Sequence, residues 1–499
     1  MSKISSITRK FFSLVINNKS FVVIFIIIIS IFLIRIDSIY TVDQLNLHYK
    51  YKNSDNSVAP LNQQSISTTN TLATISIDYN NILRTLSPLA IGGVDESGYG
   101  TPNVLVNDSI QQQKLKQLGI PYMRMSLKYT LSGDPSSRIV CGGEGCDTRW
   151  SGDQWINSIK NLNAIPVVND PVNPSDLPAL VKHFNKDTNN HITRWLSSSN
   201  EPDLSGIDAT TYSNNFNQLY DAMKAIDPTI KIGGPTVAWY DAAFLQIFLN
   251  ISGTRVDFID FHAYPQGLTI QPYDELFLQA AKYESNILDL FQRIKITIPM
   301  RANQIEIQVG EWDLNYVGHL SEYTPFNIAW GASTLGHIIN AGGIGLLYAD
   351  KGNLLFMNGN EIPGAKIDDT TPMYHALGMF TGEGIFPKFG SRLVLSTTSL
   401  TNIEVYASDS PKNIVIINKD SHLSQKATIF LNTISSGTVQ SWRNDPTSLL
   451  IGGPSNNATL LINQGFFTVD LPALSVTTLV ITPYISTPNP LQPSNLVTS

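Results

Sequence analysis

Short apolar runs alternate with longer amphipathic segments between residues 82 and 380. The longer segments, such as Asp153–Leu162, Asp176–Phe184, Asp208–Ile226 and Pro325–Ile339, carry apolar residues at helical spacing. Eight of the short runs have the composition and bounding turn residues of strands: Leu86–Val94, Tyr122–Ser126, Ala164–Asn169, Thr193–Ser198, Ile230–Gly233, Val256–His262, Ile305–Gly310 and Ile344–Ala349. Eight strand-then-helix units predict an α/β fold, a (β/α)8 TIM barrel, rather than an open doubly wound sheet.

The pattern changes after Gly384. Short β-type runs separated by turn residues follow, which predicts a C-terminal antiparallel β-sandwich domain over residues 386–484. The catalytic barrel is then expected at residues 79–385, and residues 485–499, rich in Pro and Ser, are expected to form a disordered tail. We expect the sandwich to pack on the barrel and stabilise it, with independent carbohydrate binding as the alternative.

The N-terminal residues have the form of a targeting signal. Residues 1–20 contain four basic side chains and precede a strongly apolar segment at residues 21–35, which predicts a signal anchor or a signal peptide. We favour the anchor because no small-x-small cleavage site follows. Residues 36–78 are polar and are expected to form a stalk. The chain is therefore expected at the cell surface or outside the cell, with N-glycosylation triplets at Asn107, Asn250 and Asn457.

Composition narrows the class of partner. The 499 residues carry a net charge of −7, which gives no basic surface for nucleic acid and leaves the N-terminal segment as the only expected membrane contact. Cys141 and Cys146 flank a glycine-rich segment flexible enough for a disulfide, with two free thiols as the alternative. Two thiolates without a nearby histidine pair fall short of a metal site, and no motif indicates an organic cofactor.

Polar residues that directly follow barrel strands are the candidates for chemistry, because active sites lie at the C-terminal ends of those strands. Glu201 follows the fourth predicted strand and Glu311 the seventh. Two such carboxyl groups can converge across the barrel mouth, as hydrolysis of a glycosidic bond with retention requires. Arg124, near the end of the second strand, is the candidate that holds one carboxylate ionised as the nucleophile. Helix caps or surface ion pairs are the alternative roles for both glutamates.

The motifs Asn200-Glu201-Pro202, Gly310-Glu311-Trp312, His262-Ala263-Tyr264 and Ile232-Gly233-Gly234-Pro235 resemble those of the retaining glycoside hydrolases of clan A. The resemblance is closest to family 39, the β-xylosidase and α-iduronidase group, and runs from about Asn80 to Pro483. It implies that Glu201 is the acid/base and Glu311 the nucleophile. It also implies that Asn200 binds the sugar 2-hydroxyl, that Arg124 and Tyr264 orient Glu311, and that His262 lines the catalytic subsite.

The motifs also depart from the family's pattern. Ser199 replaces the usual Trp before Asn-Glu-Pro, Asp203 a frequent Asn, and Gly310 and Asp313 the usual Thr and Asn around the nucleophile. The catalytic pair is intact, but the sugar specificity does not transfer.

Aromatic residues near the strand ends are candidates for sugar contacts. Trp239 is a candidate stacking platform, although it also fits a helix-packing role. Trp312 adjoins the nucleophile, and Tyr348 ends the eighth strand.

The residues therefore predict a retaining glycoside hydrolase acting on a carbohydrate, without metal or organic cofactor. Within this class we favour a β-xylosidase-like or related β-glycosidase. The alternatives are an endo-β-glucanase-like enzyme of the same clan and a catalytically silent glycan-binding surface protein.

Overall fold

The computed structural model describes residues 72–95, 105–126, 139–142, 148–169, 174–196, 200–267, 269, 271–316, 323–349, 351–357, 359, 361–445 and 453–484. The predicted anchor at residues 21–35, the tail at 485–499 and the pairing of Cys141 with Cys146 lie outside the residues whose side chains are described. Within the described ranges, no helix has both the length and the apolar character needed to cross a bilayer.

Eight parallel strands close into a barrel, which confirms the predicted TIM barrel. Their bounds are β2 (Ile91–Asp95), β3 (Tyr122–Ser126), β6 (Ile165–Asn169), β7 (Arg194–Leu196), β8 (Lys231–Val237), β9 (Phe258–Ala263), β10 (Glu306–Trp312) and β11 (Ile344–Tyr348). They are paired in the order β10–β11–β2–β3–β6–β7–β8–β9, and β9 pairs with β10 to close the barrel. A two-stranded hairpin, β4 (Ile139–Gly142) and β5 (Thr148–Ser151), follows β3 in the chain.

The described helices begin and end at residues suited to those positions. Asp108, Asp208 and Asp241 accept hydrogen bonds from first-turn N–H groups, and left-handed Gly119 and Gly342 end two of the helices. The bounds are α1 (Ser109–Leu118), α2 (Gly152–Asn161), α3 (Leu177–Lys182), α4 (Ala209–Ile226), α5 (Ala242–Ser252), α6 (Tyr273–Thr297), α7 (Pro325–Ala341) and α8 (Pro372–Thr381). The helix predicted at 176–184 is shorter than expected and continues as a π-helical turn, His183–Asp187.

The second domain is a closed ring of nine strands, more continuous than the sandwich that the sequence predicts. Eight of them follow the barrel: β12 (Arg392–Thr398), β13 (Ile403–Asp409), β14 (Asn413–Asn418), β15 (Gln425–Asn432), β16 (Ser436–Asn444), β17 (Ser455–Asn463), β18 (Phe466–Leu471) and β19 (Ser475–Pro483). Ala73, Ile75, Ile77 and other inward-facing apolar side chains fill the ring.

The ninth strand, β1 (Leu72–Thr85), precedes the barrel in sequence and corrects the predicted domain boundary. We expected residues 72–78 in the polar stalk and the barrel to begin at residue 79. Instead, β1 pairs antiparallel with β12 and parallel with β15, and thereby closes the β-domain. Its alternating apolar residues face the core of that domain, which is the physical reason that it is ordered there.

The β-domain packs on the barrel, as we expected. Val415, Ile417 and Val476 of the β-domain belong to the same apolar core as the barrel helices. A polar cluster also crosses the interface: His337 on α7 binds Glu284 on α6 at 2.7 Å and Glu404 on β13 at 3.3 Å. Lys419 adds a 2.8 Å ion pair to Glu404. The two domains therefore share both apolar and charged contacts.

Candidate active site

Side chains from several strands meet at the C-terminal end of the barrel. Arg124 lies on β3, His262 on β9 and Glu311 on β10, while Asn200 and Glu201 follow β7. Because all eight strands are parallel, their C-terminal ends open on the same face, where barrel enzymes build their sites. The residues that the sequence singled out are thus brought together.

Glu311 is held by hydrogen bonds to both carboxylate oxygens. Its Oε1 accepts from Arg124 Nη1 at 2.6 Å, and its Oε2 accepts from the Tyr264 hydroxyl at 2.7 Å and the Tyr348 hydroxyl at 3.1 Å. The residue is only 4% exposed. The structure thus places Arg124 and Tyr264 against Glu311, where the resemblance implies they lie, and it also places Tyr348, which we expected as a sugar contact, against the same carboxylate.

The electrostatic surroundings of Glu311 favour its ionised form. Burial alone would raise the pKa of its carboxyl group, but electrostatic interactions with His262 and Arg124 and hydrogen bonds from the two tyrosine hydroxyls outweigh burial and lower it. A fully hydrogen-bonded, ionised carboxylate at the barrel mouth is suited to attack an electrophilic carbon.

His262 lies between the two glutamates. Its Nδ1 is 2.9 Å from Glu201 Oε1 and 3.3 Å from Glu311 Oε2, and the ring is fully buried. Burial would lower the pKa of the imidazole, but the carboxylates of Glu311 and Glu201 raise it. The histidine therefore fixes the spacing between the two carboxyl groups.

Glu201 is more open to solvent than Glu311, with a side chain 26% exposed. Its backbone has φ +50°, a left-handed conformation that a residue with a Cβ adopts at a cost of about 1–3 kcal/mol. Neighbouring bonds hold it there: its N–H donates to the Thr236 carbonyl at 3.0 Å, and Asn200 Oδ1 accepts from Arg124 Nη2 at 2.6 Å. Asp203 accepts from the Ala238 N–H, which fixes the same loop against the end of β8.

A series of buried, hydrogen-bonded polar side chains lies beneath the two glutamates, and the sequence analysis did not predict it. Asp260 on β9 accepts from Gln308 at 3.0 Å, Gln308 accepts from the Tyr122 hydroxyl at 2.9 Å, and Tyr122 accepts from Arg194 at 3.0 Å. Burial raises the pKa of Asp260 to about 6. An acidic residue between the apolar residues Ile259 and Phe261 of a buried strand is the sequence signal that points to this position.

The position of this buried carboxylate requires a residue without a side chain at Gly310. A Cβ at Gly310 would lie 2.0 Å from Asp260 Oδ1, which is closer than any real contact. Glycine in place of the threonine that is usual at this position in family 39 is thus explained by the Asp260 carboxylate, which occupies the space beside β9.

Trp312 and Trp239, both predicted to contact the substrate, differ in burial. Trp312 is fully buried, with its ring 6.5 Å from Tyr283 and 6.1 Å from Trp330, so the prediction that it contacts substrate is corrected to a core role. Its side chain points away from the mouth because neighbouring residues of a strand face opposite sides.

Trp239 follows β8 and is 49% exposed. Tyr316, which the sequence analysis missed, is 65% exposed with its ring 6.4 Å from Tyr264.

Three donor atoms at the site lie close enough together to be considered as metal ligands. Glu201, His262 and Glu311 each offer one ligand atom, and these atoms lie within 4.8 Å of one another. Arg124 Nη1 lies 2.6 Å from Glu311 Oε1 and 3.0 Å from His262 Nε2. Its positive charge opposes a divalent cation among these donors, so the cluster is better suited to holding protons than a metal.

Comparison with known sequences agrees with this geometry. The sequence model described as Glycosyl hydrolases family 39 matches residues 175–342, a segment that contains both glutamates. A β-xylosidase of Geobacillus stearothermophilus is 24% identical over 178 residues, which cover 33% of this chain and 34% of that protein. The match therefore spans about a third of the relative's length.

Solved structures share the fold over most of the chain. An α-L-arabinofuranosidase of Thermotoga maritima superposes with a TM-score of 0.64 at 14% identity, covering 82% of this chain and all of that one. A family 44 xyloglucanase of Paenibacillus polymyxa has a TM-score of 0.61 at 15% identity, covering 83% of this chain and all of that one. Over residues 175–342 the chain is therefore similar to Glycosyl hydrolases family 39, and the solved structures show that the fold is shared over most of the chain.

Proposed function

We propose that the chain hydrolyses a glycosidic bond by double displacement, with Glu311 as nucleophile and Glu201 as acid/base. The observation that carries the proposal is the separation of the two carboxyl groups, whose facing oxygens lie within 4.8 Å of each other. Retaining enzymes hold the pair about 5–5.5 Å apart, whereas inverting enzymes leave about 6.5–9.5 Å for a water molecule.

In the first step, Glu311 attacks the anomeric carbon while Glu201 donates a proton to the departing glycosidic oxygen. A covalent glycosyl-enzyme forms on Glu311, and the leaving alcohol departs. In the second step, Glu201 takes a proton from water, which attacks the same carbon and releases Glu311. The unequal surroundings of the two groups support these roles, because Glu311 is buried among donors and Glu201 is open to solvent.

For the substrate we propose a β-linked xyloside or a related β-glycoside. The β-xylosidase relative supports this choice, while an endo-acting glucanase activity remains the alternative that the xyloglucanase-like fold favours. A panel of aryl xyloside, glucoside, galactoside, arabinofuranoside and glucuronide, together with soluble xylan and glucan, separates these activities. Highest kcat/KM on the xyloside supports the proposal, and hydrolysis of the glucan alone supports the alternative.

Product stereochemistry tests the mechanism. NMR of the first product formed by the wild-type chain is expected to show the anomer of the substrate. Glu311→Ala is expected to lose activity by at least about 10⁴-fold and to regain turnover with azide, giving a glycosyl azide of inverted configuration. Glu275→Ala, at a half-buried carboxylate on α6 that accepts from Gln279, is the matched control. Inverted product from the wild type, or a fully active Glu311→Ala, would refute the proposal.

We also propose that residues 21–35 anchor the chain in a membrane with the barrel exported. The basic residues before this apolar segment and the absence of a cleavage site after it support an anchor. Extraction of cell membranes with alkaline carbonate tests it: an uncleaved anchor stays in the pellet, and a cleaved signal releases a shorter chain.

A further inference from the structure

A depression of about 370 Å³ lies on the outer surface of the β-domain. Its lining includes Ser76 and Asp78 on β1, Thr397 on β12, Phe430 and Asn432 on β15, and Gln464 in the turn between β17 and β18. Ile77 and Leu431 are buried in the ring's own core, so their strand neighbours Ser76, Asp78, Phe430 and Asn432 face outward. No function described above uses this depression.

Most of the depression lies away from the strands that pack on the barrel. The shared apolar core includes Val415 and Ile417 of β14 and Val476 of β19. It also includes Leu393 of β12, which lies four residues before Thr397 of the depression. The depression lies across β1, β12 and β15, and β1 separates the other two strands in the ring. A ligand can therefore bind there without disturbing the contact between the domains.

An exposed aromatic pair forms the apolar part of this surface. Phe430, which lines the depression, is 44% exposed, and Phe466 beside it is 38% exposed. Their ring centroids are 5.8 Å apart with an interplanar angle of 38°. Large apolar side chains that are adjacent at the surface and rimmed by polar residues mark interaction sites. Their faces suit the C–H face of a sugar ring.

Polar groups held in place by hydrogen bonds form the other part of the depression's surface. Asp78 Oδ1 accepts from Asn432 Nδ2 at 2.7 Å and from the Asn80 N–H at 3.1 Å. These bonds orient the carboxylate and the amide, and among the described residues they leave Asp78 Oδ2 and the Asn432 carbonyl open to a ligand. Two acceptors held in one orientation can each receive a hydrogen bond from one of two vicinal hydroxyl groups.

Charge and size limit the class of ligand. The described residues that line the depression include no basic side chain, and Asp78 would repel a phosphate or a nucleic acid. An apolar peptide would desolvate the Asp78 carboxylate without pairing it. A neutral polyhydroxylated ligand satisfies both the aromatic and the polar parts. The volume is at the lower end of ligand pockets, which matches one or two sugar rings.

We propose that this depression is an ancillary carbohydrate-binding site, which holds a polysaccharide chain while the barrel acts on it. The part of the proposal that concerns the barrel rests on the proposed function, but the binding itself does not. Binding at a second site raises the local concentration of a polymer and leaves a small glycoside unaffected. Activity on polymers and on aryl glycosides should therefore respond differently to changes here.

The test uses the full chain with Glu311→Ala to prevent hydrolysis, in affinity gel electrophoresis against soluble xylan, xyloglucan and mixed-linkage β-glucan. We expect at least one polymer to retard the protein. Phe430→Ala and Asn432→Ala should each weaken that binding about tenfold, equivalent to about 1.4 kcal/mol. The matched control is Leu461→Ala, an exposed apolar residue on β17 outside the depression, which should leave retardation unchanged. Thermal melting checks that each variant is folded.

In the active chain, Phe430→Ala should lower kcat/KM on the retarding polymer and leave kcat/KM on the aryl glycoside unchanged. The ancillary site is overturned if none of the polymers retards the chain, or if Phe430→Ala and Asn432→Ala both bind as tightly as the Leu461→Ala control. Polymer binding that depends on Phe430 in a chain without hydrolytic activity would uphold the site and refute the proposed function. Hydrolytic activity in a chain that shows no such polymer binding would uphold the proposed function and refute the ancillary site.

Discussion

Arg124 Nη1 lies 3.0 Å from His262 Nε2. A guanidinium N–H can only donate, so Nε2 accepts and the ring proton is on Nδ1, which faces Glu201 at 2.9 Å. A doubly protonated ring would place the N–H group at His262 Nε2 against the N–H group at Arg124 Nη1. The imidazole is thus neutral in this arrangement even though the carboxylates around it raise its pKa. Arg124 thereby orients Glu201 through His262 as well as Glu311 directly.

Arg124→Lys is expected to lower kcat by about 10²–10³-fold. One ammonium group cannot reproduce the fork that binds Glu311 at 2.6 Å and Asn200 at 2.6 Å through two nitrogens. Steady-state kinetics on an aryl glycoside measures the loss. Arg255→Lys is the matched control, because Arg255 makes a two-nitrogen contact with Asp221 on the protein surface. A loss of less than tenfold would show that charge alone suffices.

Tyr264→Phe is expected to move the acid limb of the pH profile to higher pH. The Tyr264 hydroxyl helps to lower the pKa of Glu311, so its removal raises that pKa and the nucleophile protonates at a higher pH. Tyr348→Phe should shift the limb less, since its bond to Glu311 is 3.1 Å rather than 2.7 Å. The pH dependence of kcat/KM reports this directly.

Tyr283→Phe is the control for this profile. It removes a buried hydroxyl that donates to the Ala263 carbonyl at 2.7 Å and does not touch Glu311. An acid limb that is unchanged in Tyr264→Phe, or displaced equally in Tyr283→Phe, contradicts the electrostatic role of Tyr264.

Gly310→Ala is expected to destabilise the protein by about 1–3 kcal/mol, because the new methyl group overlaps the buried Asp260 carboxylate. Chemical denaturation measures the loss in the free energy of unfolding. The double variant Asp260→Ala with Gly310→Ala removes the overlap and should be less destabilised than the sum of the single variants. Additive effects would mean that the two residues do not interact.

The interface histidine His337 should make stability depend on pH. Burial would lower its pKa, but hydrogen bonds and charges from Glu284 and Glu404 raise it to about 9. Because the unfolded value is about 6.5, the stabilisation is fully present below pH 6.5 and is lost as pH rises to 9. The shift corresponds to on the order of 3 kcal/mol.

Melting temperatures across pH 6–9.5 test this expectation. The wild type should lose stability over the upper part of that range, and His337→Gln should start lower and vary less. His422→Gln, which replaces an exposed histidine of the β-domain, is the control. Parallel curves for the wild type and His337→Gln would show that the cluster does not couple the domains through this proton.

The barrel was predictable because its strands are buried on both faces and its helices are amphipathic, both of which are local properties of the sequence. Glu201, Glu311 and Arg124 were predictable for a related reason, since a strand end fixes the location of the residue that follows it. Neither property requires knowledge of distant contacts.

Strand β1 and Asp260 were not predictable in this way. The alternation Ala73, Ile75, Ile77 is present in the sequence, but its partner strands begin more than 300 residues later and nothing local indicates them. Asp260 lies in an apolar strand, and only the missing Cβ of Gly310 on the neighbouring strand makes room for its carboxylate. The core position of Trp312 likewise depends on Tyr283 and Trp330, which lie on two separate helices.

The position of β1 has a consequence for synthesis of the chain. A ribosome releases this strand before any part of the barrel, yet its partners β12 and β15 emerge only after the barrel is complete. Until then, β1 presents an unpaired apolar edge. Strands translated after the barrel must therefore capture a strand made before it, so a nascent chain that stops before residue 483 cannot close the ring of its β-domain.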